Sequence, residues 1–480
     1  MYYTRWYFNE IFRTIGLIIY YSSFLFLIPL IFSIIFKEGN VVIFGYLATF
    51  IISFLIGLIW VKLIKKKEII HLNLIHYLVI VCGVWLIFVA LASLPLVFLG
   101  YSFLDSFFEM MSLITTTGLT TLPNIPVLKS INFWRAIIAW IGGIGIIFIA
   151  YFGLINSEIL NTKKIVKAEG HDFIHQNPKK TAREFVFLYI GLTLIGIIAL
   201  FIAGVDLFSA STFIMSAIST TGHRLPGDFS YLQFPAVQII ISIIMIIGAT
   251  SFFTHYYAIK DKSLKEYFTD SQLWSMLIFL FISFFIFYFY LKSKYSASSL
   301  FLLVSSATTC GGFTDILSVK ITVLAPILLM ILIILMFIGG SSNSTTGGIK
   351  RSRFLLFFKS IIWEIRELRL PDLASLPKKH NGEAVDNEDI KFLYFFIISY
   401  IILIGITVLI LVAYNYPISH SIFEVVSAQG NVGITTGITS HTMPIVPKIA
   451  LILNMWIGRL EIIPIFGLMG MLLQKKLKVK

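Results

Sequence analysis

Cysteine and charge are scarce in this sequence. Its only two cysteines, Cys82 and Cys310, sit in or near apolar segments without metal-ligand or redox spacing, so no disulfide framework or cysteine-based metal module is expected. Charged residues make up 13% of the chain, against about 25% in ordinary soluble domains. HExxH and GxSxG are both missing, and no apolar stretch carries paired carboxylates or a chain of Asp, Glu and His. A membrane-embedded protease or transferase therefore lacks its chemistry, and a proton-coupled symporter lacks a visible relay.

Apolar residues are abundant. They form 58% of the 480 residues, with a mean hydropathy of +0.91. Ten stretches, near 11–36, 41–61, 76–99, 131–156, 184–204, 236–259, 272–291, 321–338, 391–413 and 445–473, are mostly long enough to cross hydrocarbon of ~30 Å, which takes about 20 helical residues. The first is too long for a signal-peptide core and no small-residue cleavage site follows it, so it is expected to be retained. An all-α polytopic membrane protein follows.

The net charge of +13 would fit a nucleic-acid partner if it were spread evenly, but it is not. Lys and Arg crowd into 62–68, 161–184, 260–267, 350–379 and the tail KKLKVK. With the N-terminus inside, all of these runs fall on one face, the positive-inside pattern. Both termini are then cytoplasmic, the partner is the lipid bilayer, and no nucleic acid is implied.

This alternation requires four short segments to enter the outer face and return: LDSFFEMMSLITTTGLTTLPNIP, LFSASTFIMSAISTTGHRLPGDF, ASSLFLLVSSATTCGGFTDIL and PISHSIFEVVSAQGNVGITTGIT. About a dozen helix-compatible residues in each span only ~18 Å, then lead into a glycine-containing hydroxyl or amide cluster. Aligning them on Gly118, Gly222, Gly312 and Gly433 also aligns Ser112, Ser216, Ser306 and Ser427. The unit helix, P-loop, helix thus recurs four times, at 71–168, 169–268, 269–380 and 381–480, after a helix pair at 1–70. Such repeats imply four-fold pseudo-symmetry about an axis along the membrane normal, around a central pore.

Non-helical backbone at membrane depth must be buried in protein or line a watery cavity. One TTTG is most simply a helix-ending turn, but four in equivalent positions call for a shared centre. There, carbonyl rings can replace a cation's hydration shell. Glycine lets the backbone approach closely and take positive φ, while the helices aim partially negative C-terminal ends inward.

TTTGLT (115–120), STTGHR (219–224), TTCGGFTD (308–315) and SAQGNVGITTGIT (427–439) resemble the TrkH, KtrB and HKT superfamily of potassium transporters, and the resemblance covers nearly the whole chain. The additional N-terminal helix pair is similar to TrkH. The resemblance implies potassium uptake through a filter built on Gly118, Gly222, Gly312 and Gly433, with carbonyls from Thr116, Thr117, Thr220, Thr221, Cys310, Gly311, Asn431 and Val432. Members that prefer sodium often carry serine at the first glycine, so the intact Gly118 implies potassium; a sodium-selective or ion-coupled symporter of the same fold is the alternative. The third loop departs from the pattern with Cys310 and a doubled glycine at Gly311. The resemblance further implies a homodimer in a bacterial or archaeal cytoplasmic membrane, K+ in the filter and no covalent cofactor. It also implies a TrkA-like cytosolic nucleotide-binding partner, for which the basic loops from Asn161 and Lys350 offer docking surfaces.

Two features mark a gate. GGSSNSTTGGIKRSR, including Gly339, Gly340, Gly347, Gly348 and Lys350, is too polar to continue as a lipid-facing helix. By itself it reads equally as a cytoplasmic turn; the resemblance assigns it to an intramembrane gating loop. Arg459, ~18 Å into the last stretch, is costly at that depth. It reads either as a structural ion pair, for example with Glu461, or, by resemblance, as a pore arginine restricting permeation. Asp105, Glu109, Asp228, Asp315 and Glu424 lie in or near the re-entrant segments, where pairing with Arg135 or Arg224, or plain solvation, is as reasonable as attracting cations. His171, Asp172 and His175 share a basic cytoplasmic loop and could suggest a metal, but such a loop is more often solvated.

Overall fold

The computed structural model describes residues 8–64, 74–122, 128–155, 178–223, 228–315, 321–371, 377–380 and 383–461. All ten apolar stretches carry helix: Phe8–Ser23 with Leu27–Ile35, Asn40–Leu63, Leu74–Ala92, Lys129–Ile155, Pro178–Ile202, Pro235–Ala249 with Phe252–Lys260, Ser271–Leu291, Pro326–Ile338, Asn387–Ala413 and Ile445–Arg459. Among the described residues the only strands are the two-residue pair Lys379–His380 and Glu383–Ala384.

Helix Asn40–Leu63 shows how these spans pack. Its outer face exposes Val41, Phe44, Leu47, Ile51, Leu55 and Ile59, while Gly45, Thr49, Ser53 and Gly57 are buried. This inverts the soluble pattern, because lipid offers no hydrophobic drive and small residues let helices approach closely. A Cβ on Gly57 would lie 2.6 Å from the Tyr20 backbone, so the first two helices meet in direct backbone contact.

Three of the ten stretches are not the continuous spans their hydropathy suggests. The stretch 236–259 bends by 91° between Ala249 and Phe252. The stretch 321–338 opens with the 3-10 turn Ile321–Val323, becomes α-helical only at Pro326, whose fixed φ suits the first turn, and stops at Gly339 (φ +72). The last helix ends at Arg459 instead of running to 473; Glu461 turns the chain at φ +60, and 462–480 lie outside the described residues. Hydropathy averages run across the breaks after Ala249 and at Arg459, since the flanking residues there are apolar on both sides.

Each of the four expected re-entrant segments holds a 12-residue helix: Phe103–Ile114, Leu207–Ile218, Ala297–Thr308 and Ile418–Gln429. Ser102, Asp206 and Ser296 cap the first three, accepting backbone N–H bonds from the first turn, as N-cap residues do. The proposed boundaries near 70 and 168 and both chain termini lie outside the described residues.

Candidate functional site

The four loops share one backbone conformation. Each short helix runs into a left-handed residue, Thr116 (φ 54), Thr220 (φ 54), Cys310 (φ 55) or Asn431 (φ 52), and two residues later reaches Gly118, Gly222, Gly312 or Gly433, also at positive φ. Between them, the N–H groups of Thr117, Thr221, Gly311 and Val432 donate to the carbonyls of Ser112, Ser216, Ser306 and Ser427 at 2.7, 2.9, 2.7 and 2.8 Å. This is a Schellman-type helix end, and the aligned serine is the residue whose carbonyl closes it. Holding threonine at positive φ costs roughly 1–3 kcal/mol.

The glycines interlock. A Cβ on Gly118 would lie 2.1 Å from the Thr221 oxygen, on Gly222 2.4 Å from that of Gly311, on Gly312 2.5 Å from that of Val432, and on Gly433 1.9 Å from that of Thr117. Each glycine abuts the loop that follows it in the chain and the fourth returns to the first, so the loops form a closed ring. The carbonyls of Thr117, Thr221, Gly311 and Val432 stand at equivalent positions in it. The threonine hydroxyls turn back onto their own helix ends, Thr117 with Thr115 at 2.9 Å and Thr221 with Ser219 at 2.7 Å. Asn431 Nδ2 donates to Thr117 Oγ1 at 3.1 Å and to the Met455 carbonyl at 2.9 Å, tying the fourth loop to the first.

Sequence reasoning missed the glycines behind this ring. A Cβ on Gly142, Gly248 or Gly458 would lie 2.0 Å from Ile114 O, 2.4 Å from Ile218 O or 1.9 Å from Gln429 O, the terminal carbonyls of three of the short helices. The available signal is a glycine at a similar distance past three of the four loops. At the fourth re-entrant helix the 339–350 loop also comes close: a Cβ on Gly347 would lie 2.1 Å from the Gly430 oxygen.

The 339–350 loop is buried, so a solvent-exposed turn is ruled out. Thr345 Oγ1 donates to Ile218 O at 2.9 Å and Gly248 O at 3.0 Å, and Ser341 N to Ala249 O at 3.0 Å. These bonds occupy the last carbonyl of the short helix Leu207–Ile218 and two carbonyls released where the 235–260 stretch breaks, which would otherwise be costly at that depth. Lys350 Nζ folds back onto Thr346 O. Arg351 donates to Gly339 O at 2.9 and 3.2 Å and lies 5.3 Å from the Phe279 ring centroid, fixing both ends of the loop together. Gly340 and Gly348 are buried in the same segment.

Arg459 does not form the ion pair with Glu461. Its Nη1 donates to Thr345 O at 2.6 Å and its Nη2 to Gly142 O at 2.8 Å, so the guanidinium joins the first repeat, the loop and the last helix. Glu461 instead pairs with Arg353 at 2.7 Å.

The carboxylates outside the ring are held internally. Glu109 pairs with Arg135 at 2.7 Å. Asp105 receives Lys448 Nζ at 2.6 Å and Thr121 Oγ1 at 2.9 Å, Asp315 accepts from Ser299 at 3.0 Å, and Glu424 accepts from Thr435 Oγ1 at 2.7 Å and Thr436 N at 2.9 Å. The pairing reading holds for Glu109, and Asp105 finds a cation that the sequence did not suggest. Arg224, His171, Asp172, His175 and the Asp228 side chain lie outside the described residues. Because Asp105 and Lys448 are both buried, Lys448→Met is expected to cost about 3–5 kcal/mol by leaving a buried carboxylate unpaired. A melting curve in detergent would show the loss, with Lys448→Arg retaining most of the stability.

The TrkH family model, described as a cation transport protein, matches residues 43–291 and 290–477. A Methanocaldococcus jannaschii protein described as an uncharacterised cation transporter is 32% identical over 459 residues, covering 94% of this chain and 93% of that protein. The Trk system potassium uptake protein TrkH of Escherichia coli is 28% identical over 478 residues, covering 95% and 97%. The crystal structure of the potassium transporter TrkH from Vibrio parahaemolyticus shares the fold, with a TM-score of 0.85 at 24% identity over 96% of this chain and 98% of that one. This chain belongs to the TrkH family, and is a multipass membrane protein that transports cations rather than an enzyme.

Proposed function

We infer that the chain carries potassium into the cell across the cytoplasmic membrane, through the ring at Gly118, Gly222, Gly312 and Gly433. The observation that carries this reading is the closed order of the four loops, each glycine facing the carbonyl before the next glycine. Carbonyls of Thr116, Thr117, Thr220, Thr221, Cys310, Gly311, Asn431 and Val432 replace the hydration shell of an ion on the axis. The C-terminal ends of the four short helices add negative potential there. The name of the Escherichia coli relative and the intact Gly118 support potassium over sodium. Below the ring, Arg459 and the 339–350 loop act as the gate, a positive charge and a plug that raise the barrier between permeation events. A cytosolic nucleotide-binding subunit regulates a homodimer of this chain, whose termini lie in the cytoplasm.

Tracer uptake in cells lacking other potassium systems tests this. Rubidium uptake that potassium suppresses and equimolar sodium does not is the expected result. Equal competition by sodium would instead place the chain with the sodium-carrying members of the fold, and no uptake of either ion would reject the reading.

A further inference from the structure

Arg459 and Glu461 leave the end of the last helix together and go to different partners. Arg459 Nη1 donates to the Thr345 carbonyl at 2.6 Å, within the 339–350 loop. Glu461 accepts from Arg353 Nη2 at 2.7 Å, and Arg353 stands in the first turn of helix Arg351–Glu367, immediately after that loop. Two cross-links therefore join the same two segments, one at the loop and one just beyond it.

The second link is sheltered. The Arg353 and Glu461 side chains are 11% and 29% exposed, and the Arg353 guanidinium lies 4.5 Å from the centroid of Phe396, which is buried on helix Asn387–Ala413. A planar guanidinium can stack on a ring and bond a carboxylate at once, so the pair keeps a definite geometry. Gly339 (φ 72) and Gly348 (φ 76) bound the loop and give it room to turn, but Arg353 lies beyond the second of these and is fixed to the last helix.

We propose that Arg353 and Glu461 are positioning residues that hold Arg459 against the 339–350 loop, so that the barrier below the filter ring depends on this ion pair. The proposal rests on the reading of Arg459 as a barrier to cations. Glu461 also interacts electrostatically with Lys350 and Arg459, which gives the pair a competing effect through charge alone. Neutralising Glu461 would add net positive charge and slow cations, whereas neutralising Arg353 would speed them. A mechanical link predicts the same direction for both.

The test is rubidium flux into proteoliposomes containing the full-length chain without any partner protein. Arg353→Gln and Glu461→Gln are each expected to raise flux about fivefold, the shift that ~1 kcal/mol of lost bias produces. The double charge swap Arg353→Glu with Glu461→Arg should return flux toward the unmodified level. Arg353→Lys, which keeps the charge but not the ring stack, gives a smaller rise and serves if the glutamine variant does not assemble. Opposite directions for the two glutamine variants overturn the link in favour of the field alone. Silence of both, while Arg459→Ala still raises flux, overturns the link and leaves the barrier standing. If Arg459→Ala is silent too, the barrier reading fails and takes the proposal with it.

Discussion

Gly118→Asp is expected to abolish cation uptake while the protein still reaches the membrane, and Gly433→Ala to lower uptake at least a hundredfold. The smaller substitution is the more telling one. A Cβ on Gly433 would lie 1.9 Å from the Thr117 oxygen at φ +90, and one on Gly118 2.1 Å from the Thr221 oxygen at φ +84. The neighbour in each case is backbone, which cannot rotate away as a side chain could. Relief requires a carbonyl of the ring to move, and under the proposed function the site then loses the geometry that replaces water around the ion. A loss of about 3 kcal/mol in the transition state already gives more than a hundredfold, and the clash adds to the positive-φ strain. Gly437 provides the control: it lies in the same loop at φ +90, yet a Cβ there meets nothing within 4 Å. Gly437→Ala carries the strain without the clash and should keep most uptake. Immunoblotting of membranes alongside tracer uptake separates transport from expression, and retention of uptake by Gly433→Ala would remove that glycine from the conducting ring.

The ring was legible in the sequence because its chemistry recurs: a glycine, a serine before it and hydroxyl or amide residues between, four times over. What lay in a single position per loop was less visible. The left-handed residues Thr116, Thr220, Cys310 and Asn431 have no side-chain chemistry common to all four, and a β-branched threonine is among the last residues propensity would place at positive φ. Their conformation comes from the helix ends and the packing of neighbouring loops. Gly142, Gly248 and Gly458 were hidden for a different reason: glycine is common in membrane helices, and what distinguishes these three is a carbonyl oxygen within 2.4 Å of the place a Cβ would occupy. The breaks after Ala249 and at Arg459 disappear inside apolar runs, whereas the stop after Ile338 falls where the polar 339–350 run begins. Carboxylate pairing was partly readable, as Glu109 with Arg135 shows. The partners of Arg459 could not be read at all, because they are backbone carbonyls, a group that every residue possesses.

Those partners make Arg459→Ala the second large effect: flux measured without any regulatory partner is expected to rise about tenfold. Two contributions act in the same direction. The guanidinium holds the 339–350 loop through Thr345 and the first repeat through Gly142, and alanine releases both. It also places a full positive charge in a buried site; at an effective dielectric of about 20, a unit charge ~8 Å from a passing cation costs that ion about 2 kcal/mol. Arg459→Lys separates the two, since it keeps the charge but cannot span both carbonyl pairs with a planar fork. Flux near the unmodified level in the lysine variant assigns the barrier to charge, and flux close to that of alanine assigns it to the bonds holding the loop. Unchanged flux in both variants would mean that Arg459 only braces the helix ends. Intermediate flux in the lysine variant would assign the barrier to both, and would explain why so expensive a residue is satisfied by carbonyls instead of a carboxylate: hydrogen bonds to neutral groups hold the loop while leaving the positive charge uncancelled, and so let one side chain serve as both brace and barrier.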